Sequence, residues 1–289
     1  MSITVISVLC GITGMIGWGV YDFLGGVYAK QIGPFKSLFW SQLAGLISTI
    51  LLLFLFATGF EVSAQTFWLL LIAGILYSAG YLFFFRGFEI GNVSTVAAAM
   101  NLWPVFTMTI AFFFMGQRLS SLQTLGVFMI LTGVTFASIN WKGRMKNNYQ
   151  LASGVRETVI GAFFFGVYWN ISEIISEEIG WLSTTILTKF LIILFLLLFS
   201  NLVKREIDLA NTAKKTKYIV VLMGIIEAGA VTIVNYGLTI GDAILITPIA
   251  SALSVVTIFL AIIFLKDKIT TLQGLGITSA IAGIIVTAF

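Results

Sequence analysis

The stretch that decides the fold is GFEIGNVSTVAAAMNLWPVFTMTIAFFFMGQRLSSLQTLGVFMILTGVTFASI, Gly87–Ile139. Moved by 150 positions it lies without a gap on GLTIGDAILITPIASALSVVTIFLAIIFLKDKITTLQGLGITSAIAGIIVTAF, Gly237–Phe289. Twelve positions are identical, among them Gly87/Gly237, Ile90/Ile240, Gly91/Gly241, Phe114/Phe264, Gly126/Gly276 and Gly133/Gly283, and Leu122-Gln123 recurs as Leu272-Gln273. A slip of 147 lays Gly19-Val20-Tyr21 on Gly166-Val167-Tyr168. The chain is therefore a duplication of one apolar unit.

Working outward, polar breaks divide the chain into ten apolar spans near 4–28, 36–58, 66–88, 93–115, 121–140, 155–178, 183–203, 217–239, 244–265 and 270–288. Each is about the ~20 residues that a bilayer-crossing helix needs. Of the 289 residues 59% are hydrophobic and 10% charged, a composition that a soluble fold of this size could not hide from water. The expected architecture is an all-α integral membrane protein of ten transmembrane helices. Residues 1–141 form an N-terminal five-helix repeat, 142–154 a connecting loop and 155–289 a C-terminal five-helix repeat.

Five spans per unit is an odd number, so the second copy enters the membrane from the opposite side. The connections after odd-numbered spans hold 13 of the 16 Lys and Arg residues, whereas those after even-numbered spans hold only Arg118. This asymmetry puts the odd connections in the cytoplasm and both termini outside. It also explains the net charge of +4 without a nucleic-acid partner. Inverted repeats of this kind are characteristic of secondary transporters, which bind solutes near the midplane where the halves meet.

No histidine is present, and the single cysteine, Cys10, lies in the first span. That excludes Cys/His zinc sites, imidazole acid–base chemistry and an internal disulfide. No metal or cofactor is expected, and no cleavable signal peptide is apparent, since the first apolar segment has no basic n-region and is of spanning length.

Charges at membrane depth point to function. Glu227 is the most central, in span 8, and Asn235 follows two turns later. Trp18, Tyr21, Asp22 and Gly25 share one face of span 1 by their i, i+3, i+4, i+7 spacing. Phe165, Tyr168, Trp169, Ser172 and Glu173 do the same in span 6, and Tyr77, Tyr81 and Phe84 in span 3. Aromatic faces beside carboxylates suit a cationic or aromatic solute, and a buried glutamate can carry a coupling proton. Plainer readings stand beside these: Tyr21 and Trp169 as interfacial aromatics, Asp22 and Glu173 near a span end in water, and Glu227 satisfied by Asn235 or a neighbouring hydroxyl. Arg86 and Lys189 are expected to snorkel to the membrane edge. Trp103-Pro104 and Thr247-Pro248 interrupt corresponding spans, and the paired glycines of spans 5 and 10 suit close helix packing.

The duplication, the ten spans and the short loops resemble the drug/metabolite transporter superfamily, specifically its EamA family. Gly17-Trp18-Gly19 looks like that family's Trp-Gly element, and Gly87–Ser94 falls where members join helices 3 and 4. Gly116-Gln117-Arg118-Leu119-Ser120 and Lys266-Asp267-Lys268-Ile269 fall where many members have Gly-Glu-Arg-Leu or a variant of it. The resemblance implies helices 1, 3, 4, 6, 8 and 9 around a central cavity. Trp18, Tyr21, Tyr81, Trp103, Trp169 and Glu227 would then line it, with helices 5 and 10 at the periphery. It further implies both termini in the cytoplasm, opposite to the charge count. Gln117 departs from the family's glutamate and puts any ion pair there in doubt.

The expected function is secondary active transport of a small metabolite or drug-like solute by alternating access in a prokaryotic plasma membrane, as a monomer or dimer. Two rival readings are a non-transporting sensor or scaffold and an intramembrane aspartyl protease using Asp22 and Asp242. The latter lacks the expected glycine at Thr239, and Asp242 falls in a connection.

Overall fold

The computed structural model describes residues 2–56, 61–90, 96, 99–138, 154–204, 206–266 and 269–289. The expected connecting loop at 142–154 lies outside these residues except for Gly154, as do Asn92, Val93 and Ser94. All regular structure among the described residues is helical: α1 (Ile3–Ile32), α2 (Pro34–Leu52), α3 (Ala64–Ile90), α4 (Trp103–Phe114), α5 (Ser121–Ser138), α6 (Val155–Ile179), α7 (Trp181–Val203) and α8 (Lys214–Leu238). α9 (Ala243–Ala250), α10 (Leu253–Leu260), a π-helical turn (Ala261–Leu265) and α11 (Thr271–Thr287) complete it.

Among the described residues seven segments are long and apolar enough to cross a membrane: six within α1, α2, α3, α6, α7 and α8, and one formed by α9, α10 and the π turn together. α4, α5 and α11 are shorter apolar helices. The ninth span is interrupted near Thr247-Pro248, as the sequence leads one to expect. Pro248 sits inside α9, which ends two residues later, and α10 begins at Leu253. A proline removes an N–H and crowds the carbonyl four residues back, so the helix stops soon after it.

Local chemistry explains the helix ends. Gly33 (φ 85°) and Pro34 turn the chain from α1 into α2, since only glycine adopts positive φ without strain and proline suits a helix's first turn. The recurring Leu-Gln also has a reason. In α11 the Thr270 side chain accepts the Gln273 N–H while the Gln273 side chain accepts the Thr270 N–H. Ser120 and Gln123 make the same reciprocal pair at the start of α5. These are capping boxes, worth about 1 kcal/mol each.

Packing follows the duplication. Helix α5 lies against α11 with Gly126 on the Gly283 carbonyl and Gly133 on the Gly276 carbonyl. Exchanging the repeats turns each of these contacts into the other, as expected for antiparallel helices related by an inverted two-fold. The same exchange relates Gly14 against Val234 to Gly161 against Phe84, and Gly19 against Val256 to Gly166 against Phe106. Close backbone approach through small residues is the usual means of packing helices in lipid. Large apolar side chains such as Leu125, Phe128, Leu275 and Ile285 are left exposed on the outer faces of α5 and α11, which suits hydrocarbon.

Candidate functional site

The middle of the bundle is aromatic. Trp18 of α1, Trp103 of α4 and Trp169 of α6 form a triangle with ring centroids 5.2–6.4 Å apart. From Trp169 the cluster continues through Tyr168 (4.9 Å) to Tyr77 (4.9 Å) and on to Tyr81 (5.0 Å). Phe165 meets both tyrosines of α3 edge-on. Edge and tilted arrangements at these distances match the preferences set by the ring quadrupole.

Beneath this cluster is a polar node. Tyr77 donates to Oε1 of Glu227 at 2.6 Å, and Lys189 donates to Oε2 at 2.5 Å. Lys189 also donates to Oε1 of Gln42 at 2.9 Å, while the Gln42 amide nitrogen has no hydrogen-bond partner among the described residues. Glu227 and Gln42 are 0% exposed and Lys189 1%. A buried charge is tolerated when paired and hydrogen-bonded, and here the pair is closed on both sides.

The node also has a symmetry. Tyr77 and Glu227 are 150 positions apart, the offset that superposes the repeats over α3 and α8. Gln42 and Lys189 are 147 apart, the offset that carries α1 and α2 onto α6 and α7. Each bond therefore joins a residue to its own counterpart in the other repeat. Counterparts can touch only where the two-fold axis passes between them, so the node sits on that axis.

Of the sequence candidates, Trp18, Tyr77, Tyr81, Trp103, Trp169 and Glu227 are brought together. Tyr21 stands to one side, its hydroxyl 3.2 Å from Ser41 Oγ in α2. Asp22 is half-buried in α1. Asn235 does not satisfy Glu227: it accepts from Ser172 at 2.9 Å and donates to Thr185 at 2.9 Å, tying α6, α7 and α8. Lys189 does not snorkel but turns inward to the glutamate, because α7 presents it to the bundle and Glu227 repays its desolvation. The repeat offset was the available signal, since it sets Lys189 opposite a polar Gln42.

Glu173 is buried and serves a different place. Both its oxygens accept from the Gln117 amide, at 2.8 and 2.9 Å, and Oε1 also accepts the Ala243 N–H at 3.2 Å. Gln117 in turn accepts the Ile244 N–H at 3.0 Å. Together they satisfy the first amides of α9, groups a helix leaves orphaned, and the carboxylate sits at the positive end of the helix dipole. A glutamate at 117 would oppose Glu173 with like charge, so the amide is the compatible residue here. Among the described residues no cluster of His, Cys, Asp or Glu could hold a metal ion.

The chain matches the EamA-like transporter family over residues 5–139 and again over 153–289. It is 28% identical over 127 residues to an uncharacterized protein of Methanocaldococcus jannaschii, an overlap that covers 43% of this chain and 88% of that one. A solved crystal structure of 18% sequence identity superposes with a TM-score of 0.80, covering 97% of this chain and 94% of its own, and shares the fold. With its family match in two copies and its apolar helices, the chain is a multi-pass membrane protein of the EamA-like transporter family, within the drug/metabolite transporter superfamily.

Proposed function

We propose that this chain is a secondary active transporter of a small solute, working by alternating access between two inverted five-helix halves. The observation that carries the reading is the node of Gln42, Tyr77, Lys189 and Glu227, formed by counterpart residues on the axis between the repeats. A site on that axis belongs equally to both halves and stays central as they rock, which is where such carriers bind their cargo.

In this reading the solute is gripped by Trp18, Tyr77, Tyr81, Trp103 and Trp169, with Tyr21 and Asp22 on the flank. Glu227 engages its polar end. Its carboxylate is already neutralised by Lys189, so aromatic character is better supported than positive charge. A cation reaching Glu227 would have to displace the ammonium. A coupling proton could do the same: once Glu227 is protonated, Lys189 retains Gln42 as its acceptor. Glu173 and Asn235, offered as solute ligands by the sequence, are here assigned to closing one end of the bundle and to joining α6, α7 and α8.

The test is solute movement in proteoliposomes under an imposed pH gradient, with wild type and Glu227→Gln compared. Gradient-driven accumulation that the variant loses supports transport and coupling at Glu227. Accumulation with unchanged pH dependence in the variant removes Glu227 from coupling. No movement of any solute favours a sensor or scaffold.

A further inference from the structure

Residues 208–210, Trp40 of α2 and the start of α8 border an open hollow of about 390 Å³ at one end of the bundle. It is lined by Trp40, Leu209, Ala210, Lys217, Val220 and Val221, with Asp208 at its edge. The Trp40 indole N–H donates to the Ile207 carbonyl at 2.6 Å and pins the connection over α2. One wall runs into apolar surface that faces outward, since Val221 and Leu222 of α8 are exposed.

The charge around it is one-sided. Residues 204–217 hold five basic residues (Lys204, Arg205, Lys214, Lys215, Lys217) against two acidic ones. Both acids are engaged locally: Glu206 pairs with Lys36 at 3.3 Å, and Asp208 accepts the Ala210 N–H at 2.7 Å. Lys204, Lys214, Lys215 and Lys217 have no carboxylate partner among the described residues. Lys214 and Lys217 are three apart at the start of α8 and so share a face. Topology signalling alone would need basic residues in this connection but no shaped hollow beside them.

We propose that this hollow is a binding site for an anionic phospholipid. Lys217, with Lys214 and Lys215 at the rim, receives the phosphate and its neighbouring charge, Trp40 lies at headgroup level, and the Val220–Val221 wall guides the acyl chains onto α8. Juxtamembrane lysine clusters attract anionic headgroups in this way, and tryptophan favours the membrane–water boundary.

The experiment is thermal melting of the purified full chain in neutral detergent with added phosphatidylglycerol or phosphatidylcholine. A ligand selective for the folded state raises the midpoint. Phosphatidylglycerol is expected to raise it for wild type and phosphatidylcholine not, with the shift at least halved in Lys214→Gln/Lys217→Gln. Arg156→Gln/Lys266→Gln removes as much charge elsewhere and should leave the shift intact. The proposal is overturned by equal shifts with both lipids, by an undiminished shift in the lysine variant, or by an equal loss in the control. A rise of the same size with glycerol phosphate would make it a phosphate site and also overturn the lipid assignment.

Discussion

Lys189 and Glu227, on different helices and both shut away from solvent, hold each other at 2.5 Å on the axis that relates the two repeats. Removing one partner strands the other. Lys189→Met and Glu227→Gln are each expected to destabilise the protein by about 3 kcal/mol or more. Lys189→Met/Glu227→Gln removes both charges and should melt above the less stable single variant. A double variant as unstable as the sum of the singles would show that the two residues are not coupled.

Tyr77→Phe deletes one charge-assisted hydrogen bond and leaves the ring contacts with Tyr81, Phe165 and Tyr168 in place. The expected cost is about 1.5–3 kcal/mol, read as a lowered melting midpoint. Combined with Glu227→Leu, the same change should cost far less, because the acceptor is already gone.

The α5–α11 seam predicts a contrast between two glycines. A Cβ at Gly133 would stand 2.5 Å from the Ala280 nitrogen and the Gly276 carbonyl oxygen, backbone atoms that cannot step aside. Gly133→Ala should therefore destabilise by about 1–3 kcal/mol. At Gly274 the nearest atom is Ile269 Cδ1 at 3.9 Å, so Gly274→Ala should be neutral or slightly stabilising in its helix. Equal midpoints for the two variants would refute the seam.

Glu173 holds the start of α9 against the α4–α5 connection, and Cys10 lies close to that end, against Gly237. With a single cysteine in the chain, alkylation reports the opening of this region. Glu173→Ala should speed modification of the buried Cys10 several-fold, whereas Glu173→Gln, which can still accept the Ala243 amide, should have a smaller effect. A rate that does not move in Glu173→Ala would mean that the cap does not restrain this end.

Much of the fold could be read from the repeat, because a gapless offset fixes which helices correspond, and paired glycines announce a seam. The aromatic stripe was legible for the same reason that helical spacing shows a shared face. Partners were harder. Spacing along one helix says nothing about which neighbour it meets, so the sequence leaves Asn235 and a neighbouring hydroxyl both open as partners of Glu227; the hydroxyl is that of Tyr77 on α3, and the second partner, Lys189, lies on α7. Depth alone sends Lys189 to the membrane edge, and depth cannot distinguish an inward from an outward face. Glu173 read as a site carboxylate because the orphaned amides it caps belong to α9, 70 residues away. The break after Pro248 was visible as a proline, but its effect on the ninth span depended on where the helix resumed.

The most direct test of the central claim is a melting screen of wild type, Trp169→Ala and Glu227→Gln against aromatic and cationic metabolites, each shift taken from the variant's own baseline. A ligand at a hundred times its dissociation constant adds about 2.7 kcal/mol to the folded state, an effect large enough to read. A solute held at the axial node should raise the wild-type midpoint and lose most of that shift in both variants. A shift that survives undiminished in both would place the solute away from the axial node and the tryptophan triangle, and would contradict the central claim.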